Sequence, residues 1–169
     1  RSDIDSPVTY QIQELKQVFL DGNFAEGVGE VIDNPHMDNY LKAIIDSTGK
    51  LARPVKLAVD CANAVPGPAM SKLLDMLGCE HIDLYCDWDA TEPNHGADPT
   101  RPENMVDLAK VVVDNGCEFG LGADGDGDRI GAVDENGEFV YPDRLIALLA
   151  NDVVGSEADK DLLIYDVKC

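Results

Sequence analysis

Positive charge is scarce in this chain. Lysine and arginine together number 13 against 33 aspartates and glutamates, leaving a formal charge of −20. A surface of that sign repels phosphate backbones and anionic headgroups, which argues against nucleic acid or an anionic membrane as partners. Long hydrophobic runs are also missing. No apolar stretch approaches the ~18 residues of a spanning helix, and no signal peptide opens the chain. Cysteine is sparse and odd in number: five, at positions 61, 79, 86, 117 and 169, without a C-x-x-C pair. That spacing speaks against a disulfide framework or a zinc site; four of the thiols lie in or beside apolar runs, where they pack as small hydrophobes. The expectation is a reducing, cytoplasmic compartment. The first residue is Arg1, and the chain stops straight after an apolar strand-like run, so a fragment of something longer is expected. With 44% hydrophobic residues over 169 positions, the chain can hold one ordinary domain plus flanking pieces.

Against this background one segment stands out, Gly122-Ala123-Asp124-Gly125-Asp126-Gly127-Asp128-Arg129. Carboxylates at i, i+2 and i+4 fall on one side of an extended or gently curved backbone. The glycines between them let the chain curl until the oxygens converge. Three crowded carboxylates repel one another unless a cation neutralises them, and an all-oxygen set suits a hard ion such as Mg²⁺ or Ca²⁺. Arg129 follows directly with a planar cation for phosphate or carboxylate. A solvated acidic turn is the bland alternative, but it does not require so regular an interleave. Counted from Asp124, the pattern imitates a calcium-binding EF-hand loop as far as Glu135 at the twelfth place. The imitation fails at the sixth place, where Arg129 replaces the turn glycine, and at the flanks, which read as strands rather than helices. A D-x-D phosphatase or sugar-nucleotide transferase needs no third aspartate followed by arginine.

Periodicity places this loop in an α/β domain. Ser6-Pro7 opens a helix that carries Val8, Ile12, Leu15 and Phe19 and stops at Gly22. A second short helix runs from Asp38 to Asp46; both helices have too little apolar surface for a core of their own. From Pro54 strands and helices alternate. A buried-type strand at Val55–Cys61 carries Asp60 at its end, and a helix at Ala69–Leu77 closes on Gly78. A strand at His81–Cys86, a proline-broken loop at 87–102 and a helix at Glu103–Asn115 stopped by Gly116 follow. The strand Phe119–Leu121 then delivers the metal loop at its C-terminal end, where ligands bind in open α/β sheets. Ile130–Val133 returns antiparallel, and Asn136-Gly137 reads as a two-residue hairpin turn before Phe139-Val140-Tyr141. These elements predict a mixed four-stranded sheet between helices over residues 50–140. Residues 1–49 form the helical end of a preceding domain and a linker. Residues 141–169 begin a next α/β unit, with a helix at Arg144–Val153 and a strand at Asp161–Cys169.

The Asp124–Arg129 segment resembles the metal loop of the α-D-phosphohexomutases, nearest their bacterial phosphomannomutase/phosphoglucomutase branch. Val59-Asp60-Cys61-Ala62-Asn63 looks like the first strand and turn of that family's second domain. Pro93-Asn94-His95-Gly96-Ala97-Asp98-Pro99 with Arg101-Pro102-Glu103-Asn104 resembles the loop those enzymes write P-N-H-H-P-D-P…K-P-E-N. Tyr141-Pro142-Asp143-Arg144-Leu145 looks like the start of their third domain, and Asp166-Val167-Lys168-Cys169 like its first strand. The resemblance implies a four-domain enzyme that interconverts hexose 1-phosphate and hexose 6-phosphate through a phosphoserine and a bisphosphorylated sugar. It implies Mg²⁺ held by Asp124, Asp126 and Asp128, Arg129 on phosphate as the catalytic cation, and a phosphorylated hexose and the remaining domains of the parent chain as partners. The family's T-A-S-H-N-P phosphoserine segment is not in this sequence; Ser2, Ser6, Ser47, Ser71 and Ser156 all lack its context. His95-Gly96-Ala97 departs from the family's His-His-Pro, and Ala64 stands where glycine is usual. A stand-alone acidic Ca²⁺/Mg²⁺ module is the reading from another class. Asp60 reads as a turn former, His95 as a loop histidine, Asp98-Pro99 as a loop stiffener, and Trp88 as a packing anchor or a sugar platform. Arg129, as an exposed loop residue, is expected to contribute little to stability.

Overall fold

The computed structural model describes residues 9–153, so the Ser6-Pro7 helix opening and the Asp161–Cys169 strand lie outside the described residues. The chain divides into two compact units, 1–35 and 36–169. The first contains helix α1 (Thr9–Asp21), in which apolar residues recur at helical spacing, and the chain turns at Gly22 with a left-handed φ of 63°.

The second unit holds the sheet. Its elements run α2 (Met37–Thr48), β1 (Lys56–Asp60), α3 (Gly67–Leu77), β2 (Glu80–Leu84), a 3₁₀ turn (Pro102–Met105), α4 (Val106–Asn115), β3 (Phe119–Ala123), β4 (Ile130–Asp134), β5 (Phe139–Val140) and α5 (Pro142–Val153). The sheet order is β2-β1-β3-β4-β5; β1 is parallel to β2 and β3, and the β3-β4-β5 edge is antiparallel. The α/β class and the mixed sheet stand as expected, but among the described residues the sheet has five strands rather than four. The fifth is a two-residue edge, Phe139–Val140, paired with Val133 and Ala132. It is too short to carry a period of its own.

Residues of β1 feed two cores. Leu57 and Val59, with Cys61 just beyond the strand, pack with Leu74 of α3 and with Ala123. Ala58 faces the other way into Leu84, Met105, Leu108, Val112, Cys117 and Val133. A central parallel strand covered on both faces has to be apolar throughout, and β1 is, apart from its two ends. Gly78 and Gly116 both end their helices in the left-handed conformation. There the N–H groups of Cys79 and Cys117 reach back to the carbonyls of Leu74 and Val112. Among the described residues the cysteines are free thiols, and no helix is long and apolar enough to cross a membrane.

The hairpin between β4 and β5 differs from the two-residue turn expected at Asn136-Gly137. Asp134 accepts the Gly137 N–H at 3.0 Å and donates its own N–H to Glu138 at 2.9 Å, so three residues form the loop. Only Gly137 has positive φ, and the Asp134 carboxylate takes the N–H groups of Asn136 and Glu138. A side chain that satisfies two loop amides favours the longer connection, a type I turn followed by a left-handed glycine.

Helix α3 is clipped to edge strand β2 by His81. Its Nδ1 lies 2.7 Å from Asp83 and its Nε2 lies 3.1 Å from Asp75, with the ring 11% exposed. Burial opposes the charged ring, but the two carboxylates outweigh it and raise the imidazole above its ordinary 6.5. A raised folded-state value means the clip is fully stabilising below the unfolded value and weakens as pH rises through the folded one. Urea midpoints should therefore fall as pH rises past the ordinary imidazole value, and His81→Gln should flatten that segment. An unchanged slope in the variant would remove the clip from the account.

Candidate metal centre

The Asp loop joins β3 to β4 and is closed by its own backbone. The Asp124 N–H donates to the Arg129 carbonyl at 3.2 Å, and the Gly127 N–H donates to the Asp124 carbonyl at 3.1 Å. Gly127 has φ of 78°, and a Cβ there would lie 3.1 Å from Pro66. Gly125 needs no such freedom. Asp124 directly follows β3 and is 2% exposed, whereas Asp126 and Asp128 face solvent. One ligand oxygen from each of the three lies within 4.8 Å of the others. The expected trio is thus brought together, and its donor set suits a hard divalent cation.

Arg129 folds back onto this trio. Its backbone N–H donates to Asp124 Oδ1 at 2.9 Å and its Nε to Asp124 Oδ2 at 2.8 Å; Asp128 Oδ1 lies 3.9 Å from Nε. Burial alone would push the Asp124 carboxyl up, but the Arg129 N–H and guanidinium outweigh it and hold the carboxyl below its ordinary range. Asp128 is pushed the other way by the charge of Asp126 and then of Asp124. Three carboxylates with one guanidinium among them remain short of positive charge, as a cation site should. Arg129, its side chain 52% exposed, thus pairs with a buried carboxylate, a contact that the reading of it as a loop residue did not include.

A second loop, residues 93–101, supplies the other wall. Asp98 accepts the Thr100 hydroxyl at 2.7 Å and Thr100 N–H at 3.2 Å, and its Oδ1 takes Arg129 Nη1 at 3.3 Å. The Thr100 bonds, and after them Arg129 and Arg101, hold its carboxyl low. Asn104 donates to the Asp98 carbonyl at 2.9 Å. Asp98 is therefore a loop stiffener as expected, and also a hold on Arg129 that sequence reasoning missed. An open cleft of about 730 Å³ is lined by Asp98, Arg101, Asn104, Asp124, Asp126 and Arg129. Arg101 brings a second guanidinium to it, visible beforehand only as part of the 101–104 motif.

The strand end beside the cleft is unusual. Ala62 and Asn63 are consecutive left-handed residues without being glycine, with φ of 48° and 58°. The Ala62 N–H bonds the buried Asp60 carboxylate at 2.9 Å, the turn-forming bond expected of Asp60. Asn63 donates to the Asp87 carbonyl at 2.9 Å and accepts the Asn94 amide at 2.7 Å. Trp88 is 67% exposed. Glu135 takes no part in the carboxylate cluster, and Lys168 lies outside the described residues.

Fold and site together define an α/β domain that presents a three-carboxylate loop and two guanidinium groups at the ligand end of its sheet. The chain belongs to the phosphoglucomutase/phosphomannomutase family: the family's alpha/beta/alpha domain II matches residues 34–137. It is 45% identical over 160 residues to a phosphomannomutase/phosphoglucomutase of Pseudomonas aeruginosa, covering 94% of this chain and 34% of that protein. A phosphoglucomutase of Neisseria meningitidis is 39% identical over 159 residues, covering 93% and 34%. A solved phosphoglucomutase/phosphomannomutase family protein from Burkholderia thailandensis superposes with a TM-score of 0.75 at 39% identity, over 88% of this chain and 32% of that one. The chain spans about a third of the length of the curated relatives it matches.

Proposed function

We propose that this chain is the metal-holding portion of a phosphohexomutase that interconverts the 1- and 6-phosphates of mannose, glucose or both through a phosphoserine and a bisphosphorylated sugar. Residues 50–140 are the metal-loop domain, residues 1–49 the end of the preceding domain, and residues 141–169 the start of the next. The observation that carries the reading is the convergence of the Asp124, Asp126 and Asp128 oxygens beside Arg129. Asp124, Asp126 and Asp128 would hold Mg²⁺, which when bound offsets the charge of phosphoryl oxygens. The chain's own residues do the rest. Asp124 fixes the guanidinium of Arg129, Asp98 holds it from the opposite loop, and Arg129 and Arg101 give the cleft two planar donors for a phosphate.

Calorimetric titration of the 169-residue chain tests this. Mg²⁺ should bind weakly, because the parent's phosphoserine would supply a further oxygen and Mg²⁺ dehydrates reluctantly for an incomplete set. The heat should vanish when all three aspartates become asparagine, and the chain alone should turn over no glucose 1-phosphate. Turnover above a no-protein control would sink the fragment reading. Sub-micromolar Ca²⁺ affinity would favour a stand-alone acidic module instead.

A further inference from the structure

His95 meets an oxygen at both ring nitrogens. Nε2 lies 3.0 Å from Asp60 Oδ2, and Nδ1 lies 3.1 Å from the carbonyl oxygen of Gly96. A carbonyl oxygen only accepts, so Nδ1 carries a proton. Asp60 is 2% exposed, and its other oxygen already accepts the Ala62 N–H. The contact with Nε2 needs a second proton, shared between ring and carboxyl. With both protons the pair is neutral overall and every facing lone pair is satisfied. With one proton removed, either Nδ1 confronts the Gly96 carbonyl or Nε2 confronts a buried carboxylate. Lone pair then faces lone pair in a site of low polarity.

What this pair pins is the loop that reaches Arg129. Asn94, next to His95, donates to Asn63 at 2.7 Å, and Asp98, three residues beyond, holds Arg129 Nη1. We propose that Asp60 and His95 are positioning residues for Arg129: a doubly protonated pair, its carboxylate buried, seats the 93–101 loop on the end of β1, and Asp98 passes that placement to the guanidinium above the carboxylate trio. This deepens the mutase reading, on which the importance of Arg129 rests. Burial raises Asp60. Burial opposes the charged His95 ring, but Gly96 and Asp60 outweigh it and raise the ring as well. The groups around the pair favour keeping the protons. Tyr85, at the end of β2, sets its ring edge-on to His95 at 5.5 Å and donates its hydroxyl to Asp107 of α4 at 2.8 Å. The negative charge of Asp107 acts on both Asp60 and His95, and Asp98 is the nearest carboxylate along the loop itself.

The test is nitrogen NMR of the histidine rings and arginine Nε–H groups in the metal-free 169-residue chain across pH. His95 should keep two protonated ring nitrogens to a pH above the ordinary imidazole value, and the Arg129 Nε–H resonance should shift as His95 titrates. Asp60→Asn should lower the His95 transition and broaden or remove the Arg129 Nε–H peak, with backbone amide peaks elsewhere unchanged. His95→Gln, which keeps one donor toward Asp60, should preserve more of that peak than His95→Ala. An Arg129 resonance indifferent to His95 titration and to the His95 variants would overturn the proposal. If Asp60→Asn does not fold, the two His95 variants in the exposed loop decide it. The measurement uses neither metal nor turnover, so it fails independently of the mutase reading.

Discussion

Gly131→Ala should destabilise the sheet unit by about 3 kcal/mol, the upper end of the usual cost of overpacking. Gly131 sits opposite Gly122 across β3 and β4, and the 99–105 segment lies directly on this pair. A Cβ on Gly131 would fall 2.4 Å from the Pro99 carbonyl oxygen and 3.0 Å from its Cβ. The obstacle is backbone, so the loop rather than a rotamer has to move. Because Asp98 precedes Pro99, the shift should also loosen its contact with Arg129. At Gly122 the obstacle is the flexible tip of Met105, at 2.7 Å, so Gly122→Ala should cost less. Gly125→Ala meets only Ala97 at 3.9 Å, and its backbone is not left-handed. It should change stability by under about 0.5 kcal/mol. Urea unfolding of the three variants gives the ranking, and a Gly131 variant as stable as the Gly125 variant would refute this packing account.

How much of this was legible in the sequence depends on how local each feature is. The Asp-Gly alternation, the strand-like flanks of the Asp loop and the helix-ending glycines at 78 and 116 are patterns within a few residues, and the structure carries each of them. Strand β5 was signalled only by the hairpin turn before Phe139 and left out of the count of four, because two residues cannot show an alternation of their own. The β4–β5 loop length escaped because the Asp134 carboxylate, not the Asn-Gly pair, sets it. The site's long-range ties were the least visible. Asp98 and Arg129 are 31 residues apart, and Asp60 and His95 are 35 apart. Nothing in composition or period relates residues at such separations; the parallel pairing of β1 with β3 brings them to one end of the sheet. The role of Arg129 was half visible: its place beside the trio is sequence, while its fold onto Asp124 is a rotamer.

That rotamer gives Arg129→Ala two separable effects. In the metal-free chain the substitution leaves the Asp124 carboxylate, 2% exposed, with the backbone N–H of residue 129 and no guanidinium. Breaking a fully buried pair costs several kcal/mol, but the Arg129 side chain is 52% exposed and water screens part of the loss. A modest destabilisation, read as a lower urea midpoint, is expected between those limits. Saturating Mg²⁺ should recover most of it, since a cation on the trio neutralises the same carboxylate. It should therefore raise the melting temperature of the variant more than that of the unsubstituted chain. In the proposed parent mutase the second effect would be on rate. A guanidinium contact made mainly in the transition state is worth about 2–4 kcal/mol, or roughly 30- to 1000-fold. Arg129→Lys keeps the charge but loses the planar fork that spans Asp124 and Asp98, so it should restore stability better than rate. A Lys variant with full rate, or an Ala variant whose rate loss disappears once Mg²⁺ restores its fold, would make Arg129 a structural counter-charge and nothing more.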